Sequence, residues 1–143
     1  MRHDYFEGVL QIRNPSDDVI STVRNLINSN SNVNIAKTEK AGNGVDFYIS
    51  SQKYMITMGR TLQQKFGGQL IISRRVHTRS RVTSRDVYRV TVLFRLPPFK
   101  KGDTIKHRGN QLLILNLGKK VFCKDLITGK KIMIGYDKLS MKS

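Results

Sequence analysis

The chain has 143 residues, with 26 Lys and Arg against 10 Asp and Glu and a net charge of +16. So basic a balance points to a polyanionic partner, and 38% hydrophobic residues in regular patterns exclude a wholly disordered chain. No stretch approaches the roughly 20 apolar residues that a bilayer span needs, and the opening MRHDYFEG lacks the apolar centre of a signal peptide, so a cytoplasmic protein without membrane contact is expected.

Taken in chain order, Tyr5 to Arg13 alternates, with Phe6, Leu10 and Ile12 on one face and Glu7, Gln11 and Arg13 on the other, the pattern of a half-buried strand. Asn14 as N-cap, Pro15 at the first helical position and Asp17 and Asp18 in the first turn predict a helix. Its apolar stripe is Val19, Ile20, Val23, Leu26 and Ile27, and the Asn/Ser run from Asn28 ends it. Val33 to Glu39 and Val45 to Ile49 read as two strands joined through Gly42-Asn43-Gly44, residues suited to a tight hairpin turn. Ser50 or Ser51 caps a second helix with Met55, Met58, Leu62 and Phe66 at three- and four-residue steps, closed by Gly67-Gly68. A strand from Gln69 and another from Asp86 to Leu96 complete a βαββαββ order, an α+β fold of mainly antiparallel sheet with its helices on one face.

Pro97-Pro98 interrupts this pattern and divides the chain into expected domains 1–96 and 97–143. Beyond it, Thr104 to His107, Gln111 to Leu117, Val121 to Lys124, Lys130 to Ile134 and a further run at Leu139 to Met141 are short and strand-like, which predicts a small SH3-like β-barrel.

The basic excess is uneven. Residues 1–72 carry 8 basic and 6 acidic groups, whereas Ser73 to Arg89 alone carries six arginines and one acid, Asp86. Arginine presents a rigid fork of donors that fits phosphate oxygens and stacks on bases. Arg75, His77, Arg79, Arg81, Arg85, Arg89 and Arg95 are all odd-numbered, while Leu70, Ile72, Val76, Tyr88, Val90, Val92 and Phe94 are even. If both strands keep register, six of the seven arginines from Arg74 to Arg95 share one outer face, Arg74 being the exception. The plainer alternative is a solvated face that discourages edge-to-edge aggregation. In the second domain Lys100-Lys101, Lys119-Lys120 and Lys130-Lys131 each adjoin a glycine at loop positions, where a small barrel can touch RNA; ordinary solubilising lysine is the competing reading.

Catalytic patterns are absent. Thr128-Gly129-Lys130-Lys131 fails as a P-loop, because its first glycine would fall at Lys124 and its Ser/Thr at Lys131. His3, His77 and His107 lack metal-ligand spacing, and the single Cys123 reads as a small buried apolar group. Tyr5, Phe6, Tyr48 and Phe122 could stack on bases, but strand aromatics are more often core, so they are not named as sites.

Four segments, YFEGVLQIR (Tyr5 to Arg13), GNGVDFYISSQKYM (Gly42 to Met55), YRVTVLFRLPPFKKGD (Tyr88 to Asp103, reached through the arginine ribbon) and LGKKVFCKDLITGKKIMI (Leu117 to Ile134), carry a resemblance. In order, they resemble the large-ribosomal-subunit export adaptor family, also called nonsense-mediated decay protein three, in its archaeal form. The resemblance implies a module like a small ribosomal protein, then a barrel similar to the N-terminal domain of the hypusine-containing translation factor. It implies a location on the intersubunit face of the large subunit, over tRNA sites and near the L1 stalk, during late assembly. The paired-cysteine zinc segment expected at the start of such proteins and the leucine-rich export tail of eukaryotic members are not found, so an excised fragment or shortened protein is expected, without zinc or any other cofactor of its own.

The reading is therefore a monomeric, non-catalytic adaptor that binds large-subunit ribosomal RNA and nearby proteins. The expected RNA contacts are Arg74, Arg75, His77, Arg79, Arg81, Arg85, Arg89, Lys100, Lys101, Lys119, Lys120, Lys130 and Lys131. The alternatives are a stable ribosomal protein, a general RNA-binding translation factor and, less favoured, an RNA-modifying enzyme.

Overall fold

The computed structural model describes residues 5–79 and 86–139, with side chains at all of these except 76–79 and 86–88. The first strand, β1 (Gly8–Arg13), becomes the middle of a five-stranded sheet because Leu10 and Ile12 pack on one face while its backbone pairs on both edges. Helix α1 (Asp17–Asn28) follows, then β2 (Ile35–Ala41), β3 (Gly44–Ile49), α2 (Gln52–Phe66), β4 (Gln69–Arg79) and β5 (Asp86–Arg95), in the spatial order β2-β3-β1-β5-β4. All neighbours are antiparallel except β1 and β5, which run parallel from Gly8↔Val90 to Arg13↔Arg95. The fold is α+β, as the residue pattern predicts.

Both helices lie on the same face of the sheet. Val19, Val23 and Ile27 of α1 and Met55, Met58 and Leu62 of α2 close over Leu10, Ile12, Phe47, Ile49, Val90, Val92 and Phe94. Gly59 lets α2 pack tightly on the sheet: a Cβ there would lie 2.7 Å from Val92 Cγ1 and 2.9 Å from Leu70 Cδ1. The apolar periodicity does not reveal that contact.

Helix α1 begins differently from the sequence expectation. Ser16, in extended conformation, is the N-cap, and its Oγ accepts from the Val19 N–H at 3.3 Å. Asn14 instead turns the chain at φ 54°, a left-handed conformation that Asn tolerates, and its Nδ2 donates to Leu96 O at 2.9 Å. Pro15 thus precedes the cap. At α2, Ser51 Oγ accepts from Tyr54 N and Glu7 Oε1 accepts from Gln52 N at 2.8 Å, so the β1 approach also caps a helix. Strand β2 starts two residues later than expected, since Val33 is buried in the turn after α1 and its N–H donates to Asn30 O.

The remaining strands, β6 (Thr104–His107), β7 (Asn110–Leu117), β8 (Val121–Asp125) and β9 (Lys131–Ile134), form a separate antiparallel sheet in chain order, the strand-rich arrangement of a small barrel. Leu112, Ile114, Val121, Cys123, Ile134 and Tyr136 are its core, with Phe99, Ile105 and Leu117 packed against them. Cys123 is fully buried and burial pushes its thiol pKa up, in keeping with an inert apolar role. Where a strand was expected at Leu139, a single 3-10 turn (Tyr136–Lys138) ends at that residue; Ser140 and Met141 lie outside the described residues.

The two sheets meet at the end of α2. Gly67 adopts φ 71°, and a Cβ on it would fall 2.5 Å from Leu117 Cβ. Nearby, Tyr136 Oη donates to Gly118 O at 2.8 Å, and burial pushes the Tyr136 pKa up to about 12.

Candidate nucleic-acid interface

Alternation along the five strands gives the sheet a second face that neither helix covers. The registers align Lys37, Tyr48, Val9, Thr91 and Ser73 in one row across it, from β2 to β4. Glu39, Asp46, Gln11, Leu93 and Ile71 form the next row, and Arg13, Arg95 and Gln69 the one after. Beyond the first row, at the opposite end, Arg75 pairs directly with Arg89.

Charges on this face divide by strand. On the β1–β3 side they are internally matched: Arg13 Nη1 meets Asp46 Oδ1 at 2.6 Å, and Lys37 Nζ meets Glu39 Oε1 at 3.0 Å. The hydrogen bond between Lys37 and Glu39 holds the carboxyl below its usual range and the ammonium above its own. On the β4–β5 side, Arg75, Arg89 and Arg95 have no ion-pair partner among the described residues. Like charges directly opposite on neighbouring strands repel. Among the described side chains that half of the face is short of anions, and phosphate oxygens would supply them.

Aromatic rings connect the two halves. The Arg89 guanidinium sits 4.0 Å from the Phe6 ring centroid, Phe6 meets Tyr48 edge to face at 5.0 Å, and Lys37 Nζ lies 4.3 Å from the Tyr48 ring. In the chain Arg89–Phe6–Tyr48–Lys37 two contacting rings carry a cation at each end, and cations on aromatic faces are a combination that nucleic-acid surfaces use. The residue pattern favours core over base stacking for Phe6 and Tyr48, and the structure sets both on the open face. The signal against that was available for Tyr48, which is one residue out of step with Phe47 and Ile49, both buried.

The expected contact residues are distributed as follows. Arg75 and Arg89 fall on the open face and Arg74, paired with Val90, on the helix side of β4. His77 and Arg79 belong to β4, but the unbroken register assumed from their odd numbering ends at an irregularity between Val76 and Thr78, after which Thr78 pairs with Val87 and Arg79 with Asp86. A bulge adds one residue to one strand, so parity no longer carries across it. Arg81 and Arg85 lie outside the described residues.

The three lysine pairs do not meet at one mouth. Lys119 and Lys120 form the β7–β8 turn, and Lys100 and Lys101 lie at the same end, where Gly102 N–H donates to Ile114 O. Lys130 and Lys131 lie at the opposite end, with Lys131 opening β9 opposite Lys124. Strand direction alone separates them.

No group of three or more His, Cys, Asp or Glu among the described residues could hold a metal ion, and the one cysteine is buried in apolar packing, so these residues do not fit a zinc site. Among the described residues no helix is long and apolar enough to cross a membrane.

No curated protein matches the chain. The family model described as NMD3, second domain, matches residues 5–96, which contain the whole five-stranded sheet and both helices. Since that match spans well over half of the 143 residues, the chain belongs to the NMD3 family, a family of ribosome-associated adaptors.

Proposed function

We propose that this chain is a non-catalytic adaptor that binds ribosomal RNA of the large subunit through the β4–β5 side of its open sheet face. The observation that carries this reading is the direct Arg75–Arg89 pairing, in which neither arginine has an ion-pair partner among the described residues. Such an arrangement costs stability in the free protein and is relieved by a polyanion. Membership of a ribosome-associated family supports ribosomal RNA as that polyanion.

In this reading the protein docks on the intersubunit face of the large subunit during late assembly, over tRNA sites and near the L1 stalk. The first module, residues 1–96, provides the arginine face, and the second, residues 97–143, adds Lys100, Lys101, Lys119 and Lys120 from the adjoining end of the small sheet. Each module has its own apolar cluster, which supports that division. Binding to purified large subunits, measured from low to high salt, tests the proposal. With about six phosphates engaged, log affinity falls against log salt with a slope on the order of −4 to −5. A slope near zero would remove the electrostatic premise.

A further inference from the structure

Between α2 and the end of β7 lies a cleft of about 560 Å³, within the range of small-ligand sites. Every charged group lining it is a cation: Arg60 and Lys65 from the last turns of α2, and Lys119 from the β7–β8 turn. Leu70 and Leu117 supply apolar surface, while the side-chain amides of Gln64 and Asn116 offer both donors and acceptors. Gln63 is already engaged, its Nε2 donating to Gly68 O at 2.9 Å.

We infer that this cleft binds a nucleoside monophosphate unit, supplied as a looped-out nucleotide of RNA. Cations for a phosphate, apolar surface for the face of a base and amides for its edge are the three requirements for reading an unstacked base, and all three line this one cleft. The negative end of the α2 dipole opposes an anion here, and Arg60 and Lys119 offset it, while Lys65 Nζ is turned to α1, where it donates to Thr22 Oγ1 at 3.5 Å. A second groove, of about 340 Å³, shares Leu117 and carries one cation, Lys100, and one acid, Asp103, so it adds apolar surface and no net charge. The RNA source of the nucleotide rests on the function proposed above; the site itself does not.

The double variant Gln64→Ala with Asn116→Ala tests it, because both side chains are exposed and the net charge is unchanged. Two RNA hairpins, one fully paired and one with a single unpaired nucleotide, are titrated against the full chain. The wild type should favour the hairpin with the unpaired nucleotide about tenfold, the scale of one stacked base. The double variant should lose that preference and keep its affinity for the paired hairpin. Substitution of Arg75 and Arg89 should instead weaken both hairpins alike, which separates failure of this site from failure of the RNA-binding face. In parallel, AMP and UMP are titrated by NMR. Shifts at the Asn116 side-chain amide with no difference between hairpins would support the site with a free nucleotide as its source. Equal hairpin affinities with no such shifts would overturn it.

Discussion

Arg75 on β4 stands directly opposite Arg89 on β5, and the Arg89 guanidinium rests 4.0 Å from the Phe6 ring centroid. Arg89 is thus held in place by an aromatic ring rather than by an acid. Replacing Arg75 with Glu turns the cross-strand repulsion into attraction. The variant should gain about 0.2–1 kcal/mol of stability and lose about tenfold in RNA affinity at moderate salt. Thermal melting and fluorescence anisotropy read the two effects, and movement of both in the same direction would contradict the assignment.

Gly67→Ala introduces a Cβ at a φ of 71° and within 2.5 Å of Leu117. Gly129→Ala imposes a similar φ of 72° where nothing lies within 4 Å. The second substitution should cost about 1 kcal/mol for backbone conformation alone, and the first about 1–3 kcal/mol more for overpacking. Chemical denaturation of both variants isolates the packing component, and equal losses would mean that Leu117 retreats freely.

Tyr136 has a folded pKa of about 12 against an ordinary value of 10.0, raised by burial. An unfolded phenol ionises first, so its contribution to stability is intact below pH 10 and is lost as the pH climbs towards 12. Tyr136→Phe removes this dependence and also leaves Gly118 O without its phenol donor, at a cost of about 1 kcal/mol near neutrality. The gap between wild type and variant should therefore narrow between pH 10 and 12; a constant gap would count against burial of the phenol.

Ser16→Ala removes the N-cap of α1 and should cost about 1 kcal/mol. Asn14→Gly keeps the left-handed turn easy and removes only the bond to Leu96 O, so about 0.5–1.5 kcal/mol is expected. Were Asn14 the true cap, Ser16→Ala would melt at the wild-type temperature.

Local pattern revealed much of this fold. Val19, Val23 and Ile27, and Met55, Met58 and Leu62, announce their helices by spacing, and Val90, Val92 and Phe94 reveal the inner face of β5 by alternation. What escaped depended on tertiary placement. Pro15 made Asn14 look like a cap, whereas a strand-end turn bonded to Leu96 claims it. The register irregularity after Val76 follows from pairing between strands, which periodicity within one strand does not record. Arg60 and Lys65 carry no local signal, because a charged helical residue looks solvated until β7 is placed beside it.

Residues about eighty positions apart form the one parallel pair in the large sheet, Gly8 with Val90 through Arg13 with Arg95. A chain emerging from a ribosome therefore makes β1 long before its β5 partner exists. Until then Leu10 and Ile12 sit on a strand with one open edge, and the centre of the sheet closes last. Such high contact order slows folding and lengthens exposure of an aggregation-prone strand. Pairing of β5 with β1 is thus expected late in synthesis, and substitutions in β5 should lower the yield of folded chain more than equally destabilising ones in α1.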